Sequence, residues 1–251
     1  MVTVEKGDVV ELEYTLRVAD TGEVIETTSE EVAKEAGIYD EKKRYGPRIV
    51  IVGEGSLLPG LEEALIGMKE GEEKEIEIPP EKAYGKRDPS KIKRYSLGEF
   101  KKAGIRNVYP GMVVEIGGNV GIVKSVSGGR VVVDFNNPLA GKTIKAKVKV
   151  VKVYKEPKEK TVKVVQRTLP DTKVEVGDEE VVVEMPVSYV YVDRIGLLQA
   201  IVTNDVFKVN DKAKTVKFVW TFNRKVVEGS SKEEGEQREQ GEKQQEAAGQ
   251  R

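Results

Sequence analysis

Between Gly46 and Gly85 the chain has little freedom in its local structure. Arg48–Val52 is a β-rich run that stops at Gly53, and in Gly53-Glu54-Gly55 two glycines are free to take positive φ. Pro59 suits a first helical turn, where its missing N–H costs nothing, and Leu61, Ala64 and Leu65 follow at helical spacing. Gly67 supplies a left-handed cap. Glu72–Ile78 then alternates, with Ile76 and Ile78 on one face and Glu75 and Glu77 on the other. The pattern predicts one short helix lying across a sheet, with Leu57, Leu58 and Leu61 aimed at the strands beneath. Pro79-Pro80-Glu81-Lys82-Ala83-Tyr84-Gly85 closes the stretch and places a phenol beside a loop.

The flanking segments supply the rest of that sheet. Val9–Val18 alternates, with Val10, Leu12, Tyr14 and Leu16 sharing a face. Asp20-Thr21-Gly22 signals a turn, and Glu23–Thr27 pairs back as a hairpin. Thr28 with Glu31 reads as a capping box opening a short helix that Gly37 closes. The loop 38–46, with Tyr39 and Tyr45, has two readings, a segment near the pocket rim and a solvated connection. Thr143–Tyr154 is a long alternating strand carrying Ile144, Ala146, Val148 and Val150 on one side.

Charge divides the chain. Residues 1–85 hold 21 acidic and 10 basic side chains, whereas residues 86–106 hold 8 basic and 2 acidic ones. Such a reversal marks a separate module. Within it Ser96 and Glu99 form a capping box, and Met112–Ile116, Val120–Val126 and Arg130–Asp134 read as short strands. A third unit follows. In it Thr161–Val165, Thr172–Val176, Glu180–Met185 and Thr215–Phe222 read as strands, and Asp193–Val202 as a helix capped by Asp193. The boundaries expected are 1–86 with 139–156, then 87–138, 157–229, and a polar tail 230–251 with too little to bury to fold.

Composition narrows the chemistry. The 251 residues include no cysteine and no histidine. Disulfides, thiol nucleophiles, histidine bases and ordinary zinc centres are therefore excluded. Any catalysis must rest on shape, hydrogen bonds or carboxylates, and no cofactor or metal is expected. No window approaches ~20 continuous apolar residues, so a soluble, cytoplasmic protein is expected. The Lys/Glu-rich composition, 34% charged overall, points towards a thermophilic source.

Tyr14, Gly22 with Ile25-Glu26, Val50-Ile51-Val52-Gly53, Leu57-Leu58-Pro59-Gly60-Leu61-Glu62, Ala83-Tyr84-Gly85 and Val131–Gly141 occur in one order and spacing. Together they resemble the FKBP-type peptidyl-prolyl isomerases, in their archaeal long-type and SlyD-like form, over roughly Val2 to Tyr154. The resemblance implies an α+β chain: an FKBP-like antiparallel sheet wrapped on a short helix, a β-rich insert in the flap, and a C-terminal α+β domain. It also implies a pocket with Tyr84, Glu26 and Tyr14 as its catalytic polar groups and Ile25, Val50, Leu57, Leu58, Leu61 and Ala146 as its substrate-binding wall. Leu61, Val50 and Ala146 stand where many members carry aromatics, so a wider, shallower pocket is expected. No metal role is carried over from the His-rich tail of bacterial SlyD proteins, because this sequence holds no histidine.

The activity so implied suits a chain without nucleophiles. Rotation about the imide bond faces a barrier of ~18–20 kcal/mol, which is lost resonance, and a dry apolar pocket favours the less polar twisted form. By the same resemblance the insert is a chaperone module whose surface would comprise Phe100, Ile105, Met112, Val114 and Val123. The partners expected are unfolded or nascent polypeptides containing proline, together with a homodimer formed through the C-terminal domain. Neither membrane nor nucleic-acid binding is expected. Two alternatives stand beside the enzyme: a binding module with a weakened pocket, and an RNA-associated β-barrel suggested by Gly121-Ile122-Val123-Lys124 in a basic setting.

Overall fold

The computed structural model describes residues 2–222; the tail 230–251 and the last residues expected of the C-terminal domain lie outside them. The chain divides into two compact units, one of Met1–Lys6 with Val10–Val153, the other of Gly7–Val9 with Tyr154 onward.

In the first unit, β1 (Val9–Val18) turns at Gly22, φ +72°, into β2 (Val24–Thr27). After α1 (Glu30–Glu35) come β3 (Arg48–Ile51), α2 (Pro59–Leu65) and β4 (Glu73–Ile78). The insert then contributes β5 (Ile92–Ser96), α3 (Leu97–Lys102), β6 (Val113–Ile116), β7 (Asn119–Ser127) and β8 (Arg130–Asp134), and the chain returns through β9 (Ile144–Tyr154). The main sheet runs β2-β1-β9-β4, with β3 also paired to β1. Its inner face carries the predicted residues, Val10, Leu12, Tyr14 and Leu16 from β1 and Ile144, Ala146, Val148 and Val150 from β9, all buried. The outer face is charged, with Lys145 on Glu77 and Lys147 on Glu73. At such exposure these pairs contribute little stability.

Helix α2 crosses the inner face and buries Leu61 and Leu65. Its approach is so close that a Cβ on Gly60 would stand 2.5 Å from Ile78 Cγ2, which explains a glycine inside so short a helix. The cap of α1 is Ser29, whose Oγ accepts from Val32 N at 3.3 Å. Thr28, expected there, instead takes the N–H of Tyr14 at 2.9 Å. Its hydroxyl is committed to the sheet.

The insert forms its own antiparallel sheet, β5-β8-β7-β6, around Phe100, Val114, Val123, Val131 and Val133. The Ser96–Glu99 capping box is present in full. Strand β5 carries too many charges for its alternation to be read. It exists because β8 offers it a paired edge, Tyr95 opposite Val131.

The second unit contains α4 (Pro157–Thr168), β10 (Lys173–Val176), β11 (Glu180–Met185), α5 (Ile195–Val209) and β12 (Thr215–Trp220). Its sheet runs β10-β11-β12, with the last pair parallel across the α5 crossover. Residues 161–165, expected as a strand, lie inside α4. The β-branched run misled the reading, because Thr161, Val164 and Val165 are buried at helical spacing. Helix α5 starts after Arg194, which takes φ +57°, and Asp193 does not cap it. It runs seven residues past the expected end, because packing on α4 buries Val206 and Val209. The buried Asp205 is held there by Arg167 at 2.6 Å.

Candidate active site

Where α2 meets the end of β1, a hollow of about 210 Å³ opens. Leu61 forms an apolar floor with Leu16, and Leu57 and Leu58 flank it from the loop before the helix. The inward parity of β1 that buries Leu12 carries Tyr14 and Leu16 on to this edge.

One wall is polar and internally saturated. The Tyr14 hydroxyl donates to Glu26 Oε1 at 2.6 Å and accepts from Arg48 Nη1 at 2.7 Å. Arg48 also reaches Glu26 Oε1 at 3.3 Å. Burial and the bond to Glu26 push the Tyr14 phenol up to about 12. Burial, followed by the charge of Glu26, also raises Tyr84. Both phenols therefore stay protonated well into alkaline solution. A raised folded value means that stability is complete below the ordinary tyrosine pKa of ~10 and is lost as pH rises through the folded value. Urea titrations are expected to show that alkaline loss in the native chain and a smaller loss in Tyr14→Phe.

Two donors at the rim are unsaturated. Among the described residues the Tyr84 hydroxyl and the Leu58 N–H have no protein acceptor. The loop that presents Leu58 is fixed by Glu62, whose carboxylate accepts from Gly55 N at 3.2 Å and Leu57 N at 3.3 Å. The site can thus hold a small apolar ring and offer two donors to a carbonyl.

Six of the expected residues meet here: Tyr14, Glu26, Leu57, Leu58, Leu61 and Tyr84. Three do not. Val50 is fully buried, Ala146 nearly so, and Ile25 packs against the same core. Val50 and Ala146 are core residues, and Ile25, partly buried, does not line the hollow. Small side chains at positions 50 and 146 do not border the opening, so of the three positions expected to widen it only Leu61 does. Sequence reading missed Leu16, Arg48 and Ser56. Leu16 was signalled by its parity with Tyr14. Nothing local signals that Arg48 faces Glu26.

The insert requires a second correction. Phe100, Val114 and Val123 are buried in its private core, and Ile105 and Met112 pack against that core. A module this small needs its best apolar residues inside. The insert's most exposed apolar side chains are Val113 at 63%, Val120 at 62% and Tyr109 at 60%. The β6–β7 register puts Val113, Val120 and Ile122 on one side of the sheet.

Two larger hollows, about 550 and 590 Å³, lie on the outer face of the main sheet. Glu13, Glu73, Lys147 and Lys149 line one, and Glu75, Glu77 and Lys145 the other. Val32, Ile76 and Ala146 also line the second. Among the described residues no cluster of side chains fits a metal ion, and no helix is long and apolar enough to cross a membrane.

Comparison with known proteins matches residues 2–101 to the family "FKBP-type peptidyl-prolyl cis-trans isomerase". Residues 96–139 match "FKBP26, IF domain" and residues 157–223 "FKBP26_C-terminal". A short-type peptidyl-prolyl cis-trans isomerase of Methanocaldococcus jannaschii is 44% identical over 147 residues, 59% of this chain and 92% of that protein. The FKBP-type isomerase SlyD of Treponema pallidum is 37% identical over 57% of this chain and 73% of its own length. A probable FKBP-type 16 kDa isomerase of Pseudomonas fluorescens is 34% identical over 43% of this chain and 73% of its own. With the hollow, its saturated wall and its two unengaged donors, these likenesses assign the chain: it belongs to the FKBP-type peptidyl-prolyl cis-trans isomerases.

Proposed function

We propose that the chain captures unfolded or nascent polypeptide on the insert and isomerises Xaa-Pro bonds in the hollow over Leu61. The observation that carries the second step is the contrast between a saturated wall and an open rim. The proline ring displaces water against Leu16, Leu57 and Leu61, and the imide loses the solvation that stabilises its planar form. The Leu58 N–H and the Tyr84 hydroxyl hold the substrate carbonyl, while the Tyr14–Glu26–Arg48 set keeps the wall rigid. Stronger binding of the twisted than of the planar imide is the catalysis. Proline-limited refolding and a short proline peptide both test it. Tyr84→Phe removes one hydrogen bond worth about 1–1.5 kcal/mol, so kcat/KM is expected to fall about tenfold. An unchanged kcat/KM in both assays would sink the role given to Tyr84. Suppressed aggregation without any acceleration would favour a binding module with a weakened pocket.

Capture is assigned to the outward side of the insert sheet, where Val113, Val120 and Ile122 form an apolar strip for an extended chain. A second copy of the chain is the partner proposed for the second unit. There Leu197, 56% exposed, and Ile201 lie one turn apart on α5, Leu197 opposite the buried Val206. Leu197→Glu is expected to halve the sedimenting mass; a mass equal to the native chain's would remove this reading. We place the protein in the cytoplasm.

A further inference from the structure

The two segments that join the insert to the rest of its unit run side by side, and a compact set of polar bonds fastens them. Gly141 N donates to Gly85 O at 2.8 Å, and Phe135 N to Lys91 O at 3.0 Å. Between these backbone bonds Asn136 acts as a side-chain clasp. Its Oδ1 accepts from Asp88 N at 2.8 Å, and its Nδ2 donates to Asp88 O at 2.9 Å and to Asp134 Oδ1 at 2.8 Å. The same Asp134 oxygen takes the Asn136 N–H at 3.0 Å, while its other oxygen pairs with the Arg87 guanidinium. Asp134 is only 5% exposed. Burial alone would raise its carboxyl. The Asn136 donors and the charge of Arg87 outweigh that and hold it below its ordinary value, so the clasp is charged at neutral pH.

The position of this network matters more than its strength. Arg87 follows Tyr84 by three residues, and Asp134 ends β8, the strand that carries the insert's core residues Val131 and Val133. The clasp therefore lies on the chain path between the phenol at the hollow and the strip of Val113 and Val120. Neither Arg87 nor Asn136 belongs to the hollow. Neither belongs to the insert's apolar core.

We propose that Arg87, Asp134 and Asn136 are positioning residues that hold the insert at a fixed reach from the hollow, so that a chain captured on one is presented to the other. The proposal rests on the capture reading above. Capture helps catalysis only through effective concentration, which falls when the tether between two sites loosens or cannot span them. Loose linkers would let the insert hold chain without delivering it. Fastened ones convert capture into delivery.

The full-length chain, Asn136→Ala and the pair Arg87→Met with Asp134→Leu would be compared with a chain lacking residues 87–138. The double variant removes both charges together, which avoids leaving a buried carboxylate unpaired. Three readouts are needed: kcat/KM on a short proline peptide, proline-limited refolding of a protein, and suppression of aggregation. Both clasp variants are expected to keep peptide turnover and aggregation suppression within about twofold of the native chain while refolding catalysis falls about tenfold. If refolding is unchanged in the clasp variants but falls on excision of the insert, capture stands and the clasp proposal is overturned. If excision itself leaves refolding unchanged, the capture reading fails first. A peptide rate that drops as far as the refolding rate would mean that these residues act on the hollow, and would also overturn the proposal.

Discussion

Excision of residues 87–138 is expected to leave turnover of a short proline peptide within about twofold while lowering catalysed protein refolding about 100-fold. The first half of this outcome follows from packing. No insert residue belongs to the core that holds Tyr14, Leu61 and Ala146, so the sheet and α2 keep their buried contacts without it. The cut ends also lie close, because Gly85 O already accepts the Gly141 N–H at 2.8 Å, and a short linker bridges them without strain. The second half follows from tethering. A chain held on Val113 and Val120 meets the hollow at an effective concentration in the ~mM range, against the far lower concentration of a free client. Aggregation assays on the same protein should show the holding activity lost. A refolding rate unaffected by excision would remove capture from the mechanism.

Leu61→Ala is expected to destabilise the first unit by about 3 kcal/mol and to reduce kcat/KM on peptide as well. Leu61 is fully buried, yet it also floors the hollow. It sits on a helix whose approach to β4 is fixed by the missing Cβ of Gly60, so α2 cannot settle into the space a truncation leaves. The vacated volume would join the hollow and admit water where the mechanism needs it excluded. Val50→Ala provides the contrast. That residue is equally buried but does not line the opening, so a loss of about 2 kcal/mol is expected with KM unchanged. Urea unfolding and peptide kinetics on the two variants separate floor from core. An equal rise in KM for both would mean that the hollow extends to Val50.

Much of the first unit was legible in its sequence. The alternation of Val10, Leu12, Tyr14 and Leu16 fixed the inward face of β1, and Pro59 with the spacing of Leu61 and Leu65 fixed α2. Ser96 and Glu99 announced their helix, because a capping box is a contact between near neighbours. What failed was mostly non-local. The strand at 92–96 exists through its partner 36 residues away at Val131, and residues 161–165 became helix because their tertiary setting buries every third or fourth side chain.

For the site, local pattern determined which face each residue takes, and the tertiary structure alone decided what covers that face. Tyr14 and Leu12 share one parity, but only the former reaches the edge that α2 leaves uncovered. Val50 and Ala146 point inward as expected and are sealed by neighbours. In the insert, parity distinguished Val113 from Val114 without saying which of the two sides would be packed. Arg48 joined the polar wall through partners 34 and 22 residues away in the chain. Side-chain direction is set by backbone dihedrals over a few residues, whereas exposure and hydrogen-bond partners are set by segments brought together in folding. The sequence could therefore specify directions, but not which of them would end in a hollow.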